Sequence, residues 1–216
     1  HYTVGPMKRV LIILFSVFLL HGQQIAADTP DPGELSKLLD GKVLVLDSRS
    51  EKPGGTVRVR ALARIPAEEV WNVIVSCERS FVFVNGLQSC EVIEDSGERA
   101  LIRQVTKQGW PAPTLDFIYE SMREPFSKIN FSLVQGNLEA MEGSWQFINT
   151  ANGLLLDYEI RIKPELAVPD FLVSRSLRKS SPDMVACIRG LSGGSGSEKL
   201  QSSDLKRCPG KPENKH

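Results

Sequence analysis

Histidine, the side chain best suited to acid–base chemistry near neutral pH, is confined to the two ends of this sequence. The 216 residues contain His1, His21 and His216 and no other histidine. A Ser-His-Asp or Cys-His nucleophile and a His-ligated zinc or iron site each need an imidazole within reach of the reacting atoms. We therefore expect no catalytic residue of these classes, no metal site and no cofactor in the folded part of the chain.

Two tyrosines are the remaining candidates for proton donation. Tyr119 or Tyr158 could act as an acid, with Arg103 or a buried carboxylate as electrostatic support. The nearest carboxylates alternate with apolar residues, which predicts that they lie on the solvent face of their strands: Asp116, Glu120 and Asp157. The sequence therefore favours a binding protein, with an enzyme as the alternative.

The four cysteines have no CxxC spacing of the kind used for metal binding or thiol exchange. Cys77 follows the end of one predicted helix and Cys90 opens the next predicted strand, so we expect these two to form a disulfide in an oxidising compartment. Cys187 lies among apolar residues of a predicted helix, where a buried thiol and a disulfide with Cys208 are both consistent with the pattern.

The first 27 residues have the pattern of a signal peptide. Lys8 and Arg9 precede an apolar run over 10–20, and Ala26 and Ala27 provide a small-residue cleavage site. A membrane-spanning helix needs about 20 apolar residues, so an uncleaved anchor is the less favoured alternative. We expect translation to start at Met7, cleavage after Ala27 and a periplasmic or secreted protein without a stable membrane anchor.

Composition and charge limit the class of partner. Hydrophobic residues make up 41% of the chain and charged residues 24%, which is typical of a globular protein. Lys and Arg together number 26, as do Asp and Glu, and loss of residues 1–27 removes two basic residues and no acidic ones. Because nucleic-acid binding needs a basic surplus, we expect no nucleic-acid partner.

Residues 28–163 predict two helices and a series of strands. A short helix over 28–41, a strand over 42–47, a strand over 56–65 and a helix beginning at Pro66 come first. The strand at 56–65 should place Arg58, Arg60 and Arg64 in solvent, with Leu62 as the one exception to its alternation. Antiparallel strands then follow from residue 91 to residue 163.

The later strands place large apolar side chains on a common face, which we interpret as the lining of an apolar ligand cavity rather than a filled core. Its aromatic members are Phe117, Tyr119, Phe131, Trp145, Phe147 and Tyr158. Trp71 and Phe171 are expected to have structural roles. An amphipathic helix over 170–191, interrupted at Pro182, should cover this face, and residues 192–216 should form a disordered polar tail.

Three segments carry a family resemblance that extends over about residues 42–191. They are GGTVRVRALARIPAEEVWNVIVSCERSFVFVNGLQSCEVIE, MEGSWQFIN and GLLLDYEIRIKPELAVPDFLVSRSLRKSSPDMVACIRGL. Their order and the strand that ends in proline before a long helix resemble the START-like (SRPBCC) superfamily, in particular the exported bacterial form of its polyketide cyclase/dehydrase and coenzyme Q-binding branch.

The resemblance implies an α+β helix-grip fold over residues 28–191, in which a curved antiparallel sheet wraps a long C-terminal helix and leaves an apolar cavity. It implies no single activity, because fold alone does not define function. We expect a monomeric periplasmic protein that binds or transfers a lipid, isoprenoid or quinone and contacts membranes only transiently. A cyclase or dehydratase acting on a polyketide-like chain and an envelope protein-interaction module are the alternatives.

Overall fold

The computed structural model describes residue 1 and residues 29–46, 53–107, 114–165 and 168–210. The predicted signal peptide over 1–27 therefore lies outside the described residues, apart from His1. The helices are α1 (Pro32–Leu39), α2 (Ala67–Ile74), α3 (Cys77–Phe83), α4 (Asp170–Leu191) and α5 (Glu198–Leu205). The strands are β1 (Leu44–Leu46), β2 (Gly55–Ala63), β3 (Leu87–Asp95), β4 (Arg99–Lys107), β5 (Thr114–Glu124), β6 (Lys128–Gly136), β7 (Leu138–Thr150) and β8 (Gly153–Pro164).

The strands form a single antiparallel sheet in the order β1-β2-β8-β7-β6-β5-β4-β3. Strands β3 to β8 follow one another as hairpins, and β2 closes against β8, where Val59 lies opposite Tyr158. The inner residues of β2 pack in the hydrophobic core with those of β7 and β8, as their alternation predicts. The expectation of an α+β helix-grip fold is confirmed.

Helix α4 packs on the inner face of the sheet, mainly against β2. Val185, Cys187 and Ile188 are fully buried in that core. The prediction that Pro182 interrupts this helix is wrong, because α4 runs unbroken from 170 to 191. Proline removes a backbone donor from a helix interior, and here the buried position of Pro182 and Ser181 stabilises the helix despite that loss.

Helix α1 covers part of the outer face of the sheet, which the alternation of β2 assigned to solvent. Leu62, the exception in that alternation, packs there against Leu38 of α1 and Leu155 of β8. None of the helices among the described residues has the length and apolar character needed to span a bilayer.

Arg60 and Asp157 are buried beside this contact, so their predicted exposure is wrong. Arg60 is 1% exposed and donates from Nη2 to Asp157 at 2.7 Å and from Nη1 to Glu34 at 3.1 Å. Arg58 adds a bond from Nη2 to the same carboxylate at 2.8 Å. Two arginines distant in sequence from Asp157 thus make burial of its carboxylate tolerable.

The polar segment after residue 191 folds, which corrects the expectation of a disordered tail over 192–216. Ser197 caps α5 by accepting a hydrogen bond from the Leu200 amide at 3.3 Å. The side chain of Asp204 is buried against Arg189 of α4, and Cys208 forms a disulfide with Cys187. An ion pair and a disulfide stabilise this segment, and neither can be predicted from hydrophobic periodicity. Residues 211–216 lie outside the described part.

Both cysteine pairs are disulfides. Cys77–Cys90 joins the start of α3 to β3 and confirms the predicted pair, with a Cα–Cα distance of 5.6 Å. Cys187–Cys208 resolves the alternative left open by the sequence and joins α4 to the residues after α5, with a Cα–Cα distance of 4.9 Å.

Candidate functional site

A cavity of about 580 Å³ lies between the inner face of the sheet and helices α3 and α4. This volume falls within the range of about 300–1,000 Å³ usual for small-molecule sites. Strands β4 to β8 supply most of its wall, and the disulfide Cys77–Cys90 lies at its α3 side. The half of α4 that precedes Met184 forms the opposite side.

Five of the six aromatic residues predicted to line a cavity do so: Phe117, Tyr119, Phe131, Trp145 and Tyr158. Phe147 does not, and its ring lies 5.5 Å from that of Trp71 in α2. Phe147 shares the inner face of β7 with Trp145, but α2 covers that end of the strand. Trp71 is structural, as expected, whereas Phe171 is 68% exposed and has no such role.

The five aromatic rings form a continuous wall. The ring centroids of Trp145 and Tyr158 are 4.4 Å apart, and those of Phe131 and Tyr158 are 6.3 Å apart. Tyr119 continues the series, 6.5 Å from Phe131 and 6.2 Å from Phe117. Such ring pairs stabilise a core beyond their buried area, so this wall is a rigid apolar surface.

Gly143 makes room for this wall. A Cβ at residue 143 would collide with the backbone carbonyl of Glu159 and with the ring of Phe131, which lies opposite on β6. A residue larger than glycine therefore does not fit at this position of the inner face.

The hydroxyl groups of Tyr119 and Tyr158 have no hydrogen-bond partner within the described part of the chain, and both residues line the cavity. Burial raises the pKa of Tyr119 to about 12, a shift that the positive charge of Arg123 partly offsets. Burial also raises the pKa of Tyr158, and the neighbouring Tyr119 adds to that increase. Both phenols therefore stay protonated at physiological pH and can donate hydrogen bonds to a ligand.

A polar group closes one end of the cavity, at the β3–β4 and β5–β6 turns. The side chain of Arg123, on β5, is buried and donates from Nη1 to both oxygens of Asp95, at 3.1 and 2.9 Å. Its Nε lies 3.4 Å from the hydroxyl oxygen of Ser121. Gln104 of β4 lines the wall further along and donates to the Cys90 sulfur at 3.8 Å.

The electrostatic support predicted for an enzyme is not in the cavity. Arg103 lies on the outer face of β4, 46% exposed, where Nη2 donates to Asp116 at 2.7 Å. Glu120 likewise faces outward and accepts from Arg99 at 2.5 Å. Sequence reasoning missed Arg123 instead, although it follows Phe117, Tyr119 and Ser121 at alternate positions of β5, which was the available signal.

The cavity is poor in groups that abstract protons. Among the described residues that line it, Asp183 is the one carboxylate, and it accepts from Arg207 at 2.6 Å in a half-exposed ion pair. The other polar groups are amides, hydroxyls and cations. This arrangement suits the binding of a largely apolar molecule by shape and by a few donated hydrogen bonds.

The fold and its cavity define a class of protein: a helix-grip domain with a largely apolar cavity. Residues 64–189 match the family described as "Polyketide cyclase / dehydrase and lipid transport". This match extends over more than half of the chain, and the chain belongs to that family. Family membership supports either the binding or transfer of a hydrophobic molecule or a polyketide-cyclase type of role. No curated protein sequence matches this chain.

Solved structures agree on the fold. A STAR-related lipid transfer protein from Xanthomonas axonopodis (fragment 25–204) is 14% identical, with a TM-score of 0.53, and the match covers 76% of this chain and 92% of that one. The di-domain ARO/CYC StfQ from the steffimycin biosynthetic pathway is 10% identical, with a TM-score of 0.53 over 64% of this chain and 50% of that one. At such low identity the likeness concerns the fold alone.

Proposed function

We propose that this protein binds a hydrophobic small molecule in its internal cavity and carries it between membranes outside the cytoplasm. The observation behind this proposal is the aromatic wall of the cavity, which includes Phe117, Phe131 and Trp145. An apolar ligand that leaves water for this site gains roughly 25 cal/mol per Å² of apolar surface buried. Three types of chain, lipid, isoprenoid and quinone, share the elongated apolar body that such a wall accepts.

The protonated phenols of Tyr119 and Tyr158 favour ligand transport over cyclase chemistry. A cyclisation that proceeds through an enolate needs a base near the substrate. Tyr119 and Tyr158 hold their protons because burial raises the pKa of each phenol. Asp183, the carboxylate at the wall, is engaged by Arg207.

The disulfides support a location outside the reducing cytoplasm. Cytosolic thiols are kept reduced, whereas disulfides persist in the periplasm and in secreted proteins. Cys77–Cys90 and Cys187–Cys208 use all four cysteines of the chain. Together with the signal-peptide pattern over 1–27, they support an exported carrier.

Helix α4 offers a surface for transient contact with an anionic membrane. Phe171 and Leu172 at its start are 68% and 44% exposed. Arg175 and Lys179 are exposed further along, and Lys179 also lines the cavity. Apolar side chains flanked by cations are typical of surfaces that lie on anionic bilayers. A ligand leaving the cavity past α4 would thus enter lipid directly.

A cavity-filling substitution tests the binding proposal. Thr106 of β4 is 6% exposed and lines the cavity, whereas Val105 faces the opposite side of the same strand. Thr106→Phe should reduce binding of the apolar fluorophore N-phenyl-1-naphthylamine to delipidated protein at least tenfold, because the added ring occupies the site. Val105→Phe adds the same ring to the outer face and should bind the fluorophore as the parent does.

Folding of both variants is checked first by their far-ultraviolet circular dichroism and thermal unfolding. Equal binding of the fluorophore to the parent and to a folded Thr106→Phe would contradict the proposed site. Mass spectrometry of an organic extract of the purified protein then identifies the class of ligand that the cavity retains.

A further inference from the structure

The sheet wall of the cavity is charged at one end only, whereas its α4 side carries Lys179 and Asp183. Tyr119, Ser121 and Arg123 occupy alternate positions of β5 and therefore project from the same face of the sheet, about 7 Å apart in succession. All three line the cavity, and Ser121 and Arg123 are 4% and 9% exposed. The rest of the wall around them is aromatic or aliphatic, apart from Gln104 and Thr106 of β4.

Only some of the hydrogen-bond donors of the Arg123 guanidinium have partners in the protein. Nη1 donates to Asp95 at 2.9 Å, and Nε is 3.4 Å from Ser121, which is a long contact for a hydrogen bond. Nη2 has no partner among the described residues. Every side-chain nitrogen or oxygen that is fully enclosed in that part of the structure has a partner, so Nη2 must border open space, and the cavity is the space that Arg123 lines.

Every group free to bind a ligand at this end can donate a hydrogen bond. Nη2 of Arg123 has two N–H groups and no acceptor. The hydroxyl of Tyr119 stays protonated, because burial raises its pKa to about 12. The Ser121 hydroxyl, which accepts from Arg123, has its own hydrogen to donate. A ligand group placed here must therefore accept hydrogen bonds.

We propose that Arg123, Tyr119 and Ser121 bind the carboxylate of a long-chain carboxylic acid whose apolar chain lies along the aromatic wall. This inference rests on the proposed function and adds the class of ligand to it. A carboxylate is an acceptor at both oxygens and matches the planar fork of a guanidinium. Desolvation would penalise an ionised head group placed against the aromatic part of the wall, so a head group bound at Arg123 determines the orientation of the ligand.

Asp95 binds one nitrogen of the Arg123 guanidinium and leaves another available to a ligand. It lies at the start of the β3–β4 turn, 41% exposed, and also accepts from the Gly97 amide at 2.9 Å. Its carboxylate holds the guanidinium in place through Nη1 and leaves Nη2 for the ligand. Because Asp95 is a partly solvated anion beside the site, it also weakens the attraction of Arg123 for a second carboxylate.

The test compares ligands that differ only in the head group. Delipidated protein is titrated with hexadecanoic acid, methyl hexadecanoate and hexadecan-1-ol, using displacement of N-phenyl-1-naphthylamine as the readout. We expect the acid to bind at least tenfold more tightly than the ester or the alcohol, since hydrogen bonds to a charged group are stronger than those to a neutral one. Similar affinities for all three would overturn the carboxylate site while leaving the cavity in place.

Two substitutions locate the site. Arg123→Met keeps the aliphatic length and should lose the preference for the acid with little change for the ester. Arg103→Met, which removes the outer-face guanidinium paired with Asp116, should keep the preference. If Arg123→Met folds and still prefers the acid at least tenfold, another residue binds the head group and the inference is wrong.

A second variant keeps the test decisive should Arg123→Met fail to fold. Asp95→Asn retains an oxygen for the Gly97 amide and removes the competing charge, so it should tighten binding of the acid severalfold and leave the ester unchanged. An unchanged or weakened affinity for the acid contradicts the proposal. Failure of the acid, the ester, the alcohol and the fluorophore alike would instead count against the proposed function, and with it this inference.

Discussion

Arg189 of α4 and Asp204 of α5 form a buried, two-pronged ion pair. Nε and Nη2 of the arginine donate to the two carboxylate oxygens at 2.8 and 2.9 Å, and both side chains are almost completely enclosed. The arginine also donates to the carbonyl oxygens of Leu62 and Gly41, at 3.2 and 2.8 Å. One side chain thus ties α4 to α5, to the end of β2 and to the loop before β1.

Asp204→Asn should destabilise the protein by about 3–5 kcal/mol, because it leaves the buried guanidinium of Arg189 without a compensating charge. Chemical denaturation measures the loss. The matched control is Asp116→Asn, which breaks a solvent-exposed pair with Arg103 and should change stability far less than Asp204→Asn does. Removal of all residues after Ser192 should be at least as harmful as Asp204→Asn, and a stable truncated protein would show that the α5 segment is dispensable.

Replacing Cys187 and Cys208 together with serine should lower the free energy of unfolding by about 2–4 kcal/mol, since the cross-link restricts the unfolded chain. The double substitution avoids a stray thiol. Thiol alkylation of the native protein without reductant should label none of the four cysteines. Substantial labelling in the absence of denaturant would contradict the disulfide assignment.

Tyr119 and Tyr158 should make stability fall at high pH. In the unfolded chain a tyrosine ionises near its ordinary pKa of 10.0, whereas the folded protein keeps the Tyr119 proton until about pH 12. Between these values the folded state binds more protons than the unfolded state, so the free energy of unfolding decreases as pH rises. Phenolate absorbance measures the titration, and a chain that begins at Asp28 has no other tyrosine. Tyr119→Phe isolates the contribution of Tyr158, and ionisation of the folded protein near pH 10 would contradict the burial of both phenols.

Phe171→Ser combined with Leu172→Ser should reduce binding to phosphatidylglycerol vesicles severalfold, because it removes the exposed apolar pair at the start of α4. Vesicle cosedimentation provides the measurement. Val134→Ser removes an apolar side chain that is 56% exposed on β6 and should have no effect. Equal binding to phosphatidylglycerol and to phosphatidylcholine would contradict the role of Arg175 and Lys179 in this contact.

Export should produce a protein that begins at Asp28. Amino-terminal sequencing of the protein recovered from the periplasm or the medium measures the cleavage site directly. A chain that retains residues 8–27 in a membrane fraction would show that the apolar run over 10–20 is an anchor.

The sequence predicted the inner face of the sheet well because that face depends on a local rule. Alternation along a strand determines which side chains share a side, and burial of that side follows from its apolar character. Phe117, Tyr119 and Trp145 were placed correctly for this reason. Phe147 obeys the same rule, and its separation from the cavity by Trp71 depends on where α2 crosses the sheet, which no strand pattern encodes.

Burial of charge was not predictable from the same patterns. Arg60 and Asp157 are 97 residues apart in the chain, and Glu34, the second carboxylate bonded to Arg60, belongs to a helix whose position was unknown. Alternation correctly assigned both residues to the outer face of the sheet. It could not predict that α1 packs on that face, because this is a tertiary contact. The C-terminal segment was misjudged for a related reason, since Asp204 and Cys208 stabilise it through single partners in α4.

The disulfides join cysteines in the order in which they occur along the chain. Cys77 bonds to Cys90 and Cys187 to Cys208, with separations of 13 and 21 residues, so neither loop encloses the other. Four cysteines allow three connectivities, and this is the one that forms when each thiol reacts with the next to emerge from a translocation channel. For the exported protein proposed above, oxidation of each cysteine with the next one along the chain yields this native pairing without rearrangement.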